Sequence, residues 1–190
     1  MYYYRFPMVS ATATIALFVK GTNKVILGKR VETSDAYPNY WSLPGGFLDA
    51  KHVRTKPKGW RAMIAYFFRW IADLFEKGFK PLKPGGERVE DTAVREVFEE
   101  TNLTITTDDL NLYNVHSDPN IDPRTHVVNV CYWVDVENID DLQPKDDISE
   151  FMIFDLDEQP IDNLPELAFN HRLILVNAIQ NRKKVLGVDI

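Results

Sequence analysis

The sequence predicts a mixed α/β layer fold, in which the strands of a sheet are interspersed with two or three helices. Two β-branched segments, residues 13–19 and 24–29, are separated by the turn residues 21–23 and predict an opening hairpin. Residues 127–136 form a further strand candidate, and residues 167–179 carry apolar side chains near helical spacing. We therefore expect a chain that begins with sheet and closes with a helix.

Two shorter segments complete the predicted elements. Residues 151–156 are a weaker strand candidate. After the hairpin, Pro44, Gly45 and Gly46 predict that regular structure stops and that the backbone approaches a ligand closely. Gly45 and Gly46 are thus candidate substrate-binding residues, together with Trp41, whose ring either stacks on a base or packs in the core.

The composition fits a single domain, residues 1–190. With 190 residues and 45% apolar content, the chain can bury one sizeable core but is short for two domains. No apolar run approaches the roughly 20 residues that cross a bilayer. Cys131 is the single cysteine and no secretory leader opens the chain, so we expect a cytoplasmic protein without disulfides. The net charge of −6 gives no general reason to bind nucleic acid.

Residues 87–103 predict a helix that concentrates negative charge on one face. The glutamates that share this face are Glu96, Glu99 and Glu100. We expect the opposite face to pack through Val94, Val97, Phe98 and Thr101. Like charges at this spacing cost about 0.2–0.5 kcal/mol per pair, so the acidic face is either solvated or bound to a divalent cation. The residue pattern alone leaves both options open.

Residues 95–103, Arg-Glu-Val-Phe-Glu-Glu-Thr-Asn-Leu, resemble the C-terminal half of the signature of the Nudix hydrolases, the Nudix box. Glu87 stands eight residues before Arg95, as that pattern requires. Asn102 replaces the usual glycine of the box, and asparagine also tolerates the left-handed backbone that ends a helix.

The first half of the box is interrupted. Pro81 stands where the first glycine of the pattern belongs, whereas residues 43–49 resemble the start of the same box. Removing about 35 residues after Asp49 would restore the spacing between Gly46 and the later half. We interpret residues 51–85 as an insertion within the domain.

The resemblance implies an α/β/α sandwich around a mixed β-sheet, with an extra amphipathic helix inserted in the catalytic loop. It also implies a hydrolase that cleaves the diphosphate linkage of a nucleoside diphosphate joined to another moiety, by attack of a water activated by Mg²⁺ or Mn²⁺. The implied metal ligands are Glu96 and Glu100, assisted by Glu99, and the carbonyl of Gly46. Glu87 and Arg95 would orient these carboxylates.

Two segments bear on the substrate. Residues 122–126, Asp-Pro-Arg-Thr-His, and residues 167–171 resemble segments of ADP-ribose pyrophosphatase-like Nudix proteins. They imply ADP-ribose or a related dinucleotide as substrate, with Arg124 binding it. The alternative is that residues 122–124 form only a turn with a local ion pair. We expect His126 and His171 to be structural rather than catalytic.

An acidic segment ahead of the last predicted strand supplies a candidate general base. Residues 146–150 precede that strand, and the resemblance implies that Glu150 activates the water or binds metal. A base must lie within roughly 3 Å of the water that it activates, directly or through one relay. A solvated loop acid is the alternative.

The insertion is basic within an acidic chain, with nine Lys or Arg between residues 51 and 84 but only Asp73 and Glu76 as acids. Apolar residues at helical spacing predict one amphipathic helix there. It could serve as a lid over the substrate, as a homodimer contact, as a surface for nucleic acid or an anionic membrane, or as an add-on with solvated charges.

Three rival functions remain at this stage. The chain could be a house-cleaning hydrolase of nucleoside triphosphates, a decapping enzyme for RNA ends, or a catalytically inactive Nudix ligand sensor. The basic insertion favours the RNA alternative, but nucleic acid is not the favoured partner, because residues 122–126 favour ADP-ribose. The carboxylates of the box argue against the sensor.

Overall fold

The computed structural model describes residues 9–49 and 86–187. The chain divides into two units, one of Met1–Leu48 and Arg88–Ile190 and the other of Asp49–Glu87. The sheet belongs to the first unit, and its seven strands in the described ranges are β1 Ser10–Val19, β2 Lys24–Arg30, β3 Trp41–Ser42, β4 Gly45–Phe47, β5 Asn111–His116, β6 Val127–Val136 and β7 Ile148–Asp155. The helices are α1 Val89–Thr101 and α2 His171–Leu186, and short 3₁₀ turns lie at Thr107–Asp109 and Ile161–Asn163.

The sheet is mixed, with the order β3-β2-β1-β6-β5, while β4 pairs with β1 and β7 pairs with β2. The predicted opening hairpin is confirmed, because β1 and β2 are antiparallel with Leu17 opposite Ile26. The predicted strand 127–136 is confirmed with the same bounds, and as β6 it runs parallel to β1. The long parallel pair of β1 and β6 lies at the centre of the sheet.

The core has two layers, one on each face of the sheet. Alternate residues of β1 enter different layers, since successive side chains of a strand point to opposite faces. Phe18 packs with Ile174 and other residues of α2. Leu17 packs with Val97 and other residues of α1. The sheet is therefore covered by a helix on each face, which is the predicted α/β/α sandwich.

Three predicted boundaries are wrong. Residues 41–47 do not lack regular structure, because β3 and β4 form short antiparallel pairs with β2 and β1. The last strand begins at Ile148, so Glu150 lies in β7 and not in the preceding loop. The closing helix begins at His171 and continues to Leu186, because Phe169 adopts a left-handed backbone with φ 53° that stops the helix on its N-terminal side.

The predicted faces of the acidic helix are partly wrong: Val97 and Thr101 are buried as predicted, but other residues do not lie on the expected side. Phe98 is 49% exposed, whereas Glu96 and Glu100 are buried. The buried face is centred on Ala93 and Val97, and at 3.6 residues per turn this face also includes Glu96 and Glu100. The predicted left-handed backbone at Asn102 is confirmed, with φ 63° and its N–H donating to the carbonyl of Phe98.

The insertion proposed for residues 51–85 lies outside the described residues. Its flanking residues are described: the N–H of Glu87 donates to the carbonyl of Asp49 over 3.0 Å. In return, Glu87 Oε2 accepts the N–H of Asp49 at 3.2 Å. Residues 38 positions apart are thus hydrogen-bonded neighbours within their unit, while the interruption of the box stays a prediction. Within the described ranges, no helix is both long enough and apolar enough to span a bilayer.

Candidate active site

A cavity of about 230 Å³ opens above the central strands. Its floor carries Thr14 of β1 and Asn129 of β6, which share a buried hydrogen bond of 3.1 Å. Its walls come from the loop at Gly45 and Gly46, from α1, and from segments near the start of α2. The parallel pairing of β1 and β6 thus brings distant parts of the chain to one pocket.

The acidic wall of the cavity consists of Glu96 and Glu100 of α1. The N–H of Gly45 donates to Glu100 Oε2 over 3.3 Å. Gly46 lies so close to Glu96 that an added Cβ would stand 2.3 Å from Oε1, which only glycine avoids. Gly45 and Gly46 thus lie against the glutamates of α1, while their predicted substrate-binding roles remain predictions.

Both buried glutamates have raised pKa values. Burial raises the pKa of Glu100 well above its usual range, and the neighbouring charge of Glu96 raises it further. Burial also raises the pKa of Glu96, although the guanidinium of Arg95 opposes that shift. The protein alone thus disfavours the fully ionised pair. A hard divalent cation takes carboxylate oxygens and supplies the missing positive charge, so these residues fit such an ion.

Arg95 ties the carboxylates of the helix together. Its Nη1 donates to Glu96 Oε1 and to Glu99 Oε2, each over 2.7 Å. Its Nη2 donates to the carbonyl of Phe47 over 3.1 Å. This geometry suits the orienting role that we predict for Arg95.

Glu99 differs from its two neighbours on the helix. Its side chain is 45% exposed and lies at a shallow depression beside the cavity, with Phe98, Lys145 and Asp146. In the part of the chain that the structure describes, no group of three or more His, Cys, Asp or Glu side chains converges as a metal cluster. The ligand roles of Glu99 and of the Gly46 carbonyl, and the orienting role of Glu87, remain predictions.

The opposite wall is basic. Arg124 donates from Nε and Nη2 to the two oxygens of Asp122, over 3.0 and 2.8 Å. Burial would raise the pKa of Asp122, but these hydrogen bonds hold it below its usual value. The local ion pair weighed from the sequence is therefore present. Because Arg124 also lines the cavity, the ion pair and the substrate-binding role are compatible.

Arg30 is a cavity residue that the sequence analysis missed. It ends β2, is only 8% exposed, and donates from Nε to the carbonyl of Ala36 over 3.0 Å. Its Nη2 lies 3.9 Å from Asp147. The available signal was an arginine at the end of a strand whose central residues are apolar.

Phe169 contacts both arginines and was also missed. The guanidinium carbons of Arg30 and Arg124 each lie 5.6 Å from the centre of its ring, within the range of a cation–π interaction. Tyr37 packs on the same ring, with centroids 4.7 Å apart. Phe169, whose backbone is left-handed, thus gives both cations an aromatic contact, and no periodic pattern signals such a position.

The two histidines make structural contacts. His171 lines the cavity, and its Nδ1 accepts the N–H of Leu43 over 3.0 Å. Burial lowers the pKa of His171 to about 3, so it is neutral at physiological pH. His126 lies at the surface, where its Nε2 contacts the carbonyl of Ser117 at 2.9 Å.

Two candidates lie away from the cavity. Glu150 accepts a hydrogen bond from Lys29 Nζ over 2.8 Å, and its side chain is 54% exposed. Trp41 packs against the core layer of α2 and lies under Lys29 Nζ, 5.7 Å from the ring centre. The cavity is lined instead by Asp146 and Asp147, from the loop before β7.

This α/β/α sandwich brings buried glutamates and two arginines to one cavity, a combination that suits a protein acting on phosphate compounds with a divalent cation. A model of the NUDIX domain matches residues 9–176 of the chain. An ADP-ribose pyrophosphatase of Methanocaldococcus jannaschii is 30% identical over 172 residues, which cover 90% of this chain and 75% of that protein. The chain belongs to the Nudix family, and it is a Nudix-type pyrophosphohydrolase.

Solved structures share the fold. A MutT/nudix family protein from Enterococcus faecalis has a TM-score of 0.64 at 23% identity, covering 97% of this chain and 66% of its own. The NUDIX domain of Shewanella oneidensis NrtR, complexed with ADP ribose, has a TM-score of 0.63 at 20% identity and covers 93% and 90%. A bifunctional NMN adenylyltransferase/ADP ribose pyrophosphatase from Francisella tularensis, complexed with AMP and a Mn ion, has a TM-score of 0.64 at 16% identity. It covers 94% of this chain, which spans only 43% of that protein.

Proposed function

We propose that this protein hydrolyses ADP-ribose, or a related nucleoside diphosphate joined to another moiety, into two monophosphates, and that it requires Mg²⁺ or Mn²⁺. The observation that carries the proposal is a single cavity with Glu96 and Glu100 on one wall and Arg30 and Arg124 on another. A diphosphate needs both: cationic side chains for its oxygens and a carboxylate site for a divalent ion.

The two glutamates hold the cation. Burial raises the pKa of both carboxyl groups, so a divalent ion is the partner that favours their ionised forms. When bound, Mg²⁺ acidifies a water and neutralises charge that develops on the phosphate oxygens. Arg95 orients Glu96 by donating to its Oε1 over 2.7 Å.

The two arginines bind and orient the diphosphate. Arg124 is preorganised by its bidentate contact with Asp122, so little side-chain freedom is lost when it meets a phosphate. Arg30 is held by its Nε and its Nη2 lies 3.9 Å from Asp147, which leaves Nη1 as the nitrogen best placed to meet an anion in the cavity. Both guanidinium groups lie against the ring of Phe169, which gives each of them a fixed contact beside the cavity.

The proton acceptor for the attacking water belongs to the loop before β7. Asp146 and Asp147 line the cavity, whereas the carboxylate of Glu150 is bound to Lys29 on the outer side of the strand. A general base must reach the reacting water directly or through one relay. We therefore propose Asp146 or Asp147 for the role that the sequence assigns to Glu150.

The decisive experiment measures AMP and phosphate release from a panel of substrates, with Mg²⁺, with Mn²⁺ and with chelator. The panel contains ADP-ribose, NADH, diadenosine polyphosphates, deoxynucleoside triphosphates and capped RNA. Glu96→Gln and Glu100→Gln should abolish turnover. Glu158→Gln serves as the matched control, because Glu158 is exposed and does not line the cavity.

Each outcome separates the alternatives. AMP release from ADP-ribose that needs the metal and both glutamates supports the proposal. Turnover confined to triphosphates or capped RNA would reassign the substrate, and a steep loss of affinity with rising salt would mark the RNA case. Binding of ADP-ribose without any turnover would indicate a ligand sensor. The homodimer and the cytoplasmic location remain predictions from the sequence.

A further inference from the structure

The loop of residues 139–147, which we call the acidic loop, closes the C-terminal end of α1. The last carbonyls of a helix have no partner within the helix and need donors from elsewhere. The N–H of Gln143 donates to the carbonyl of Thr101 over 3.0 Å, and the N–H of Lys145 donates to that of Glu100 over 3.1 Å. The acidic loop thus completes the hydrogen bonding of the helix that carries the glutamates.

Asn102 reinforces this attachment with both ends of its side chain. Its Nδ2 donates to the carbonyl of Asp141 over 3.0 Å, at the start of the acidic loop. Its Oδ1 accepts a short hydrogen bond from Lys145 Nζ, near the end of the loop. Because the nitrogen of the Asn102 amide donates to one end of the loop and its oxygen accepts from the other end, the orientation of the amide is fixed. The left-handed backbone at Asn102 turns the side chain toward the loop instead of continuing the helix.

Lys145 is held from two further directions. Its ammonium lies 5.3 Å from the centre of the Phe98 ring, which gives this exposed aromatic a partner. The position also lies at the C-terminus of α1, where the helix dipole favours a cation. The next residue, Asp146, has a positive φ of 48°, an uncommon conformation for a side chain other than glycine. Such a conformation persists where the surrounding contacts determine it.

We propose that Asn102 and Lys145 form a clamp that positions Asp146 and Asp147 relative to Glu96 and Glu100. The two residues are positioning residues and not catalytic ones, since neither is expected to touch the substrate. The link is short: Glu100 contributes its carboxylate to the cavity and its backbone carbonyl to Lys145. The kinetic part of this proposal rests on the function proposed above, whereas the clamp itself does not.

Hydrogen exchange of the metal-free protein tests the clamp directly. Asn102→Gly keeps the left-handed backbone, since glycine adopts it freely, but removes both side-chain bonds. The amides of Gln143 and Lys145 should then exchange about 10-fold faster, as expected when a hydrogen bond to a charged group is lost. Asn39→Gly is the matched control, because Asn39 also has a positive φ, 65°, but makes no side-chain hydrogen bond among the described residues. Unchanged exchange in Asn102→Gly overturns the clamp.

Kinetics with ADP-ribose and Mg²⁺ test its consequence. Asn102→Gly and Lys145→Met should each lower kcat about 10-fold with little change in KM. The double variant should lose little more activity than either single variant, because both substitutions remove the same Asn102–Lys145 hydrogen bond. Asn102→Asp still accepts from Lys145, so it should recover part of kcat. Faster exchange with unchanged kcat would overturn the positioning role. If the Asp146→Asn variant and the Asp147→Asn variant each retain full turnover, the proposed general base is refuted. The hydrogen-exchange result for Asn102→Gly then still decides whether the clamp exists.

Discussion

The carboxylate of Glu96 lies directly against the backbone of Gly46, where a Cβ atom would come within 2.3 Å of Oε1. One residue follows the opening hairpin and the other lies on α1, about a quarter of the chain length further along. The contact holds Gly46 of β4 against α1, and in the proposed function it helps to set where a diphosphate and a cation meet.

The first prediction concerns this contact. Gly46→Ala should lower kcat at least about 100-fold, because a displacement of about 1 Å of a reacting group is enough for such a loss. The fold should survive, since φ of Gly46 lies outside the positive region. Turnover is measured with ADP-ribose, and urea unfolding checks that the variant is folded. Wild-type kcat in a folded Gly46→Ala protein would show that Glu96 does not need this position.

Removing the charge of Glu100 should stabilise the metal-free protein while it abolishes turnover. The pKa of Glu100 is higher in the folded protein than in the unfolded chain. Ionisation of Glu100 therefore lowers the free energy of unfolding at a pH above the folded pKa, and this loss disappears at a pH below the unfolded pKa. Glu100→Gln should therefore be more stable than the wild type at pH 8, by about 1–3 kcal/mol, and the difference should shrink toward pH 5. Urea unfolding in chelator measures both. Equal stability at pH 8 would mean that Glu100 is not strained by burial.

Adding Mg²⁺ should reverse the order of stability. A ligand that binds only the folded state stabilises it by mass action, and the wild type retains both carboxylates that hold the ion. Thermal unfolding should show a rise in Tm with Mg²⁺ for the wild type and for Glu158→Gln, but little for Glu96→Gln or Glu100→Gln. A similar rise in all four proteins would place the ion elsewhere.

The fourth prediction is that Asp122 affects substrate binding through Arg124. Asp122→Asn weakens the bidentate contact that holds the guanidinium, so Arg124 loses its preorganisation. KM for ADP-ribose should rise about 10-fold, with kcat changed by less than about 3-fold, since the loss affects binding more than chemistry. Asp162→Asn, at an exposed position, is the control. A fall in kcat with KM unchanged would contradict this assignment.

His171 should make the protein sensitive to acid. Its folded pKa is lowered to about 3, so the unfolded chain binds a proton that the folded protein does not between about pH 6.5 and pH 3. Stability should therefore fall by about 1.4 kcal/mol per pH unit across that window as the pH decreases. His171→Gln, which can still accept the N–H of Leu43, should remove this part of the slope. His126→Gln should not, and an unchanged slope in His171→Gln would refute the prediction.

The last prediction separates the two acidic candidates near β7. Glu150→Gln should keep turnover within about 2-fold of the wild type, because the carboxylate of Glu150 is bound to Lys29 outside the cavity. Loss of a general base typically costs about 100-fold or more, which we expect of Asp146→Asn or Asp147→Asn. The pH dependence of kcat should lose its acidic limb only in the variant that lacks the base.

The acidic helix shows where prediction from sequence succeeds and where it stops. Its existence, its left-handed end at Asn102 and its glutamates follow from local pattern and from the Nudix box. The buried face of the helix does not follow from the sequence, because the helical period fixes which residues lie on the same side but not which side packs on the sheet. Phe98 was predicted inside and is exposed, while Glu96 and Glu100 are buried. Desolvating carboxylates is unfavourable by itself, and carboxylates perturbed in this way cluster at functional sites.

The sequence by itself determined the hairpin, the central strand β6, the α/β class and the family, since each rests on contiguous residues or fixed spacing. Only the tertiary structure decided the composition of the cavity. Arg30, Phe169 and Asp147 come from three separate segments and meet through the pairing of strands and the left-handed turn before α2. Glu150 does not line this cavity, because it stands opposite Lys29 across β2 and β7 and its carboxylate accepts a hydrogen bond from that lysine. Local pattern specifies elements, whereas long-range pairing specifies which side chains share a site.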